Sequence, residues 1–190
     1  MQEALFDIRL VRLSDAAQIL EIYGPIVINT AISFEIEVPS EEEFQERIRA
    51  YSATAPWLVA ELNNRIIGYA YATAHRSRQA YQWNQEVTVY VHQEYRRFGV
   101  AKKLYLLLLN MLRSMNYEKA IAVITLPNEA SVAFHQNLGF QHIGDMSNIG
   151  FKHGQWYNTS WWDYKLQPNN SPPQPLKSLI EVTESFKLNM

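Results

Sequence analysis

The chain has 190 residues, is 47% hydrophobic and 13% aromatic, and sets 17 lysines and arginines against 19 aspartates and glutamates for a net charge of −2. This is the length of one domain with enough apolar side chain for a core, and its charge balance excludes a global basic field for nucleic acid or an anionic membrane. The absence of cysteine excludes a disulfide framework, a thiolate metal site and a catalytic thiol, and it fits a reducing cytoplasm.

The opening MQEALFDIRL lacks the basic flank and apolar core of a signal peptide. Asp7–Leu13 alternates as a strand, and Ser14 then offers an N-cap to a helix through Ala17, Leu20, Ile22 and Tyr23, which Pro25 ends or kinks. Ser40 with Glu43 forms a capping box for a second helix running to about Tyr51. Trp57–Leu62 and Ile66–Ala74 read as strands joined at Asn63-Asn64, and Glu86–Val91 as a β-branched strand. A helix from about Gly99 to Met115 keeps Val100, Leu104, Leu108, Met111 and Leu112 at helical spacing; Asn110 interrupts its apolar run, which is too short to span a bilayer. Ala120–Thr125 is a short strand, Asn128 caps a helix to Leu138 with Gly139 as its stop, and Phe140–Ile143 and Ser160–Leu166 close the pattern as strands. Residues 1–166 thus form one mixed α/β (α+β) domain with a largely antiparallel sheet flanked by helices. The Pro/Asn-rich stretch Gln167–Pro175 is a linker, and Ser178–Leu188 is a weakly amphipathic tail that docks either on the body or on a partner subunit.

The stretch from Val89 to Ala101 carries the chemistry. A strand ends, a short loop brings Arg96 and Arg97, and a long helix begins at Gly99-Val100-Ala101. Gly99 removes a Cβ from the approach of a ligand, and the unpaired N–H groups of the first helical turn favour negative charge. With the two arginines this makes a diphosphate site. Taken alone, R-x-x-G-x-A is a helix start with solvated arginines; its place between a β-branched strand and a periodic helix is what favours the cradle. Three-glycine Rossmann spacing and a G-K-[ST] P-loop are both absent.

Arg96-x-x-Gly99-x-Ala101 resembles the Q/R-x-x-G-x-G/A motif of the GNAT superfamily of N-acetyltransferases, and Asn128, Ser131, Phe134 and Leu138-Gly139-Phe140 resemble its second element. Within the superfamily, the chain is similar from about Asp7 to Leu166 to the phosphinothricin and methionine sulfoximine/sulfone acetyltransferases. The matching stretches are Pro56–Glu61, Ala80–Trp83, Glu86 with Thr88–Val91, Leu126-Pro127-Asn128 and Gly150–Trp156. The resemblance implies a GNAT-type fold and acetyl-CoA as co-substrate, with no metal. It implies that the backbone of Val89, Tyr90 and Val91 pairs with the pantetheine arm. It further implies that Arg96, Arg97, Phe98, Gly99, Val100, Ala101 and Lys102 hold the diphosphate, and that Asn128 bonds the cofactor.

The resemblance also assigns Glu86 as the base, which is needed because an alkyl ammonium titrates near ~10 and must lose a proton before attack. Histidine stands at 135, where many superfamily members have tyrosine, in agreement with the phosphinothricin branch; it acts as acid or base, or only packs on its helix. Tyr90 and Tyr105 are alternative acids. Phe34, Tyr71, Arg76, Arg78 and Tyr81 line the acceptor pocket by the same resemblance, with arginine suited to a carboxylate or phosphinate. A chain without cysteine forms no acetyl-thiol intermediate, so a ternary complex and sequential kinetics are expected. The relatives imply a homodimer, with Gly150–Trp156 near the acceptor mouth and the aromatic residues from Trp156 to Tyr164 at a sheet edge. A polyamine, a protein N-terminus, or an acetyl-CoA-binding module without turnover are the competing readings.

Overall fold

The computed structural model describes residues 6–168 and 172–186. Parts of three sequence assignments, at 1–5, 169–171 and 187–188, therefore lie outside the described residues. The elements follow in chain order as β1 (Asp7–Leu10), α1 (Ala16–Asn29), α2 (Glu41–Ser52), β2 (Trp57–Leu62), β3 (Arg65–Ala74), β4 (Asn84–Val91), α3 (Val100–Ser114), β5 (Lys119–Leu126), α4 (Glu129–Leu138), β6 (Gln141–Lys152), β7 (Gln155–Lys165) and α5 (Leu179–Phe186). The strands form one sheet in the order β1-β2-β3-β4-β5-β7-β6, in which β4–β5 is the single parallel pair.

Strand alternation divides the core into two clusters, one on each face. Leu58, Ala60, Ile67, Ala70, Ala72 and Val87 turn toward α3, joined by Phe134 and Leu138 of α4. Trp57, Val59, Ile66 and Tyr69 turn the other way, toward Ile19, Tyr23 and Val27 of α1 and Phe44 and Ile48 of α2, with Tyr71 and Tyr90 packed beside them. Trp57 stacks on Tyr71 at 4.5 Å between ring centroids, so aromatic rings pave this face. Gly68 lets α3 lie close to the sheet, since a Cβ there would stand 3.0 Å from Val100 and 3.1 Å from the Tyr90 carbonyl.

Several boundaries depart from the sequence reading. β1 stops at Leu10, and Leu13–Asp15 is a 3-10 turn; Asp15, not Ser14, accepts the Arg12 N–H while also pairing with Arg9. α1 continues through Pro25 to Asn29, because burial of Ile22, Tyr23, Ile26 and Val27 outweighs one lost backbone bond. The last two strands are far longer than Phe140–Ile143 and Ser160–Leu166: they form a hairpin turned at His153-Gly154, both at positive φ (48° and 77°). β6 is an edge strand, exposed along most of its length, so it has no alternating pattern to read. The tail folds back on the body: Trp83 donates to the Gln174 carbonyl, Asn116 to that of Pro175, and α5 packs against α3 with Val182 buried.

Candidate active site

β4 and β5 pair only at Asn84–Glu86 against Lys119–Ile121, and then they part. From Val87 onward the β5-side edge of β4 has no strand beside it, while its other edge stays bonded to β3. Unpaired main-chain groups along such an edge are a template for an extended ligand. The gap is a cleft of about 100 Å³ with Val89, Tyr90, Tyr105, Asn128 and His135 in its walls. A second cavity of about 280 Å³ lies between α1 and the end of β4 and includes His92 and Arg96.

Beyond β4 the chain makes a 3-10 turn at Gln93–Tyr95 and reaches the α3 N-terminus through two residues at positive φ, Arg97 (68°) and Gly99 (79°). Such conformations turn successive N–H groups toward one point, forming an anion-binding concavity that the helix dipole reinforces. A Cβ added at Gly99 would meet no atom within 4 Å, so the space in front of it is open. Arg96, Arg97, Phe98 and Lys102 are exposed around it, whereas Val100 points into the core and offers only its main chain. Asn128 caps α4 by accepting the Ser131 N–H at 3.2 Å through Oδ1. Its amide NH₂ has no protein partner among the described residues. Together the open β4 edge, the concavity at Gly99 and Asn128 fit a long, partly peptidic ligand with a diphosphate.

At the floor of the cleft, the Tyr105 hydroxyl lies 3.0 Å from the Val87 carbonyl and 3.1 Å from His135 Nε2. His135 Nδ1 is 2.8 Å from the Ser131 carbonyl. That carbonyl only accepts, so Nδ1 carries a proton, and the one hydroxyl proton of Tyr105 is shared between the Val87 carbonyl and the Nε2 lone pair. Burial pushes the His135 pKa down from 6.5 and drives the Tyr105 hydroxyl well above the usual phenol range.

On the opposite face of β4 stand Glu86, Thr88 and Tyr90. The Glu86 carboxylate is 2.8 Å from His75 Nδ1, just past the end of β3. The His75 ring is met edge-on by Tyr81 and Trp161, at 5.9 and 6.1 Å between centroids. Arg76 and Arg78 are exposed on the following loop and make no ion pair among the described residues. The α1–α2 loop carries Phe34, which packs on the β6–β7 hairpin: its ring would lie 2.4 Å from a Cβ on Gly150 and stands 6.5 Å from that of Tyr157, centroid to centroid. Lys152 pins this loop: its buried ammonium donates to the carbonyls of Val27 and Ser33, each at 2.7 Å.

Residues 8–161 match the acetyltransferase (GNAT) domain family. The chain belongs to the GNAT acetyltransferases. It is 32% identical to a phosphinothricin N-acetyltransferase of Streptomyces viridochromogenes, over 93% of this chain and 96% of that protein. It is 30% identical to an L-methionine sulfoximine/L-methionine sulfone acetyltransferase of Salmonella typhimurium, over 87% and 97%. Its fold superimposes with a TM-score of 0.84 on a GNAT phosphinothricin acetyltransferase from Sinorhizobium meliloti in complex with AcCoA, at 32% identity over 90% of this chain and 94% of that one.

The GNAT fold gathers the sequence candidates into two groups on either side of β4. The stretch from Val89 to Lys102, Asn128 and His135 lie along the β4–β5 opening and the α3 N-terminus; Glu86, Tyr81, Arg76 and Arg78 lie around the β3–β4 loop, with Tyr71 on the same sheet face. Tyr90 packs its ring against Tyr23 and Tyr69 at 5.4 Å each, so only its main chain lies on the cleft edge. Sequence reading passed over His75, because its meeting with Glu86 depends on the β3–β4 register. It also gave no role to Lys152, although a lysine on the inward side of an aromatic-rich hairpin is a signal of a buried cation. No group of three metal-ligating side chains occurs among the described residues, and no described helix is long and apolar enough to cross a membrane.

The buried His135 gives the acetyltransferase a pH-dependent stability. Its folded pKa lies below 6.5, so on acidification the unfolded chain takes up the proton first, and stability falls as pH drops from about 6.5. The limiting slope from one such group is ~1.4 kcal/mol per pH unit. Thermal unfolding of wild type between pH 7 and 5 should show this decline, and His135→Asn should flatten it. An equal slope in the variant would assign the decline to other groups.

Proposed function

We propose that the protein transfers an acetyl group from acetyl-CoA to the amino group of a small amino-acid-like acceptor of the phosphinothricin, methionine sulfoximine or methionine sulfone type. The observation that carries this reading is the alignment of the unpaired β4 edge with the concavity at Gly99, on the other side of a strand that presents Glu86. Acetyl-CoA supplies the activated acyl group as a thioester. Val89, Tyr90 and Val91 hold the pantetheine arm through their main chain; residues Arg96 to Lys102 hold the diphosphate, and Asn128 donates its free amide. Glu86 provides the carboxylate of the base, and the buried Tyr105–His135 pair delivers a proton to the departing sulfur. Attack is direct, in a ternary complex, because no cysteine is present to carry the acyl group.

Phe34, Tyr71 and Tyr81 line the acceptor pocket, and Arg76 and Arg78 bind the acceptor's anionic groups. The two exposed arginines, without ion-pair partners among the described residues, favour an anionic acceptor over a polyamine, which would require acids in their place. The catalytic domain spans 1–166, with 167–190 as an appended tail. The protein works as a cytoplasmic homodimer that covers the exposed Phe151 and Trp156 of the β6–β7 edge.

The test is thiol release from acetyl-CoA with a panel of amines at equal concentration: phosphinothricin, methionine sulfone, methionine sulfoximine, a polyamine and an N-terminal peptide. Turnover confined to the amino-acid-like members is the expected result, and preference for the polyamine or peptide would overturn the acceptor assignment. Within that assay, Arg78→Ala raises the acceptor KM by about tenfold or more, as expected for loss of a charge-assisted contact, and leaves the acetyl-CoA KM unchanged. Equal rises in both would remove Arg78 from the acceptor site.

A further inference from the structure

We propose that His75 is the group that takes the proton from the acceptor ammonium, and that Glu86 acts through it. This deepens the acetyltransferase reading above and rests on it.

The geometry of the pair carries the argument. Glu86 Oε1 and His75 Nδ1 are 2.8 Å apart, and an ionised carboxylate only accepts, so the shared proton sits on Nδ1. That fixes the tautomer and leaves the Nε2 lone pair as the proton-accepting site; Nε2 has no partner among the described residues. The ring is held rather than loose, with Tyr81 and Trp161 bracing it edge-on. Its side chain is 14% exposed and that of Glu86 35%, so both are sheltered without being sealed from solvent. A braced imidazole whose far nitrogen is free and whose near nitrogen is bonded to a carboxylate is an oriented base. Of the two side-chain types, imidazole is the stronger base toward an alkyl ammonium.

The surrounding charges come from every neighbouring element. Arg76 and Arg78 follow His75 on its own loop, and Tyr81 faces it from the 3-10 turn before β4. The sheet row through Glu86 continues across Ile121 to Asp163 on β7, which is ion-paired with Lys119 of β5. That pairing leaves Glu86 as the carboxylate bonded to the imidazole.

In the proposed step the acceptor ammonium gives one proton to His75 Nε2. The freed nitrogen pair forms a bond to the thioester carbonyl carbon, and the C–S bond breaks with its electrons on sulfur. The departing sulfur takes its proton from the Tyr105–His135 pair, the second proton lost from nitrogen restores that pair, and the His75 imidazolium returns its proton to solvent. Ammonium and thioester thus become amide, thiol and one released proton.

The test compares wild type with His75→Phe and His75→Gln, using the acceptor to which wild type responds best in the amine panel. Phe preserves the ring that Tyr81 and Trp161 contact, and Gln preserves a donor toward Glu86 without offering a basic nitrogen. We expect both variants to lose about 100-fold in kcat, in line with removal of a general base, while calorimetry shows acetyl-CoA affinity within about twofold of wild type. The pH profile of kcat/KM for the acceptor should lose its ascending inflection in both variants. A loss of less than tenfold in His75→Gln, or survival of the inflection in either variant, overturns the assignment and leaves His75 as a brace for Glu86. Wild-type protein that binds acetyl-CoA but releases thiol with no amine in the panel overturns the acetyltransferase reading itself.

Discussion

Replacing Glu86 by Gln should lower kcat by about 100- to 1,000-fold, the range expected for loss of a general base or of the group that orients it. The carboxamide keeps the shape of the side chain but carries no charge, so it neither stabilises an imidazolium at His75 nor accepts a proton. Acetyl-CoA lies on the other side of β4 in the proposed complex, and its dissociation constant should stay within about twofold of wild type. Steady-state kinetics together with calorimetry separate these quantities. A variant that keeps more than about a tenth of wild-type kcat would remove Glu86 from the chemistry.

The second large effect is expected at Gly99. Its φ of 79° lies in the left-handed region, where a β-branched residue is a strong outlier costing about 1–3 kcal/mol. Gly99→Val therefore either retains the turn under strain or relaxes it and swings the N–H groups out of alignment. In the first case the new side chain projects into the space open in front of the glycine, which is where the diphosphate would sit. Either route should weaken acetyl-CoA binding about 30-fold or more by calorimetry, while the thermal midpoint falls by about 2–12 °C and unfolding stays cooperative, as expected for a local cost in a chain of this size. Unchanged affinity would mean that the cofactor's diphosphate lies elsewhere.

How far the sequence carries depends on which physical signal each element leaves. α3 was legible because Val100, Leu104, Leu108, Met111 and Leu112 bury one stripe against the sheet, and the Arg96–Ala101 loop because its chemistry is local. β4 was legible from its β-branched residues, but its separation from β5 was not, since strand divergence is a property of the sheet. The long β6–β7 hairpin was read only at its ends: Gly144-Asp145-Met146-Ser147-Asn148 at an exposed edge gives no alternation. At Pro25 the local signal leaves open whether α1 ends or kinks, and burial of Ile26 and Val27 decides that it continues. For the site, the two sets of residues flanking β4 were named by family resemblance, whereas the His75–Glu86 contact was invisible. It requires Thr73 to lie opposite Glu86, and that register follows from how residues 75–83 cross between the strands.

Lys152 has a bearing on how acceptor preference could be exchanged between relatives. Its ammonium ties β6 to the carbonyls of Val27 and Ser33, and Gly150 leaves room for the Phe34 ring, so hairpin and loop share one buried joint. Grafting the 30–39 loop alone into another scaffold would separate the Ser33 carbonyl from the lysine that it bonds in the interior. The two segments form a single heritable module, and chimaeras should be cut outside both.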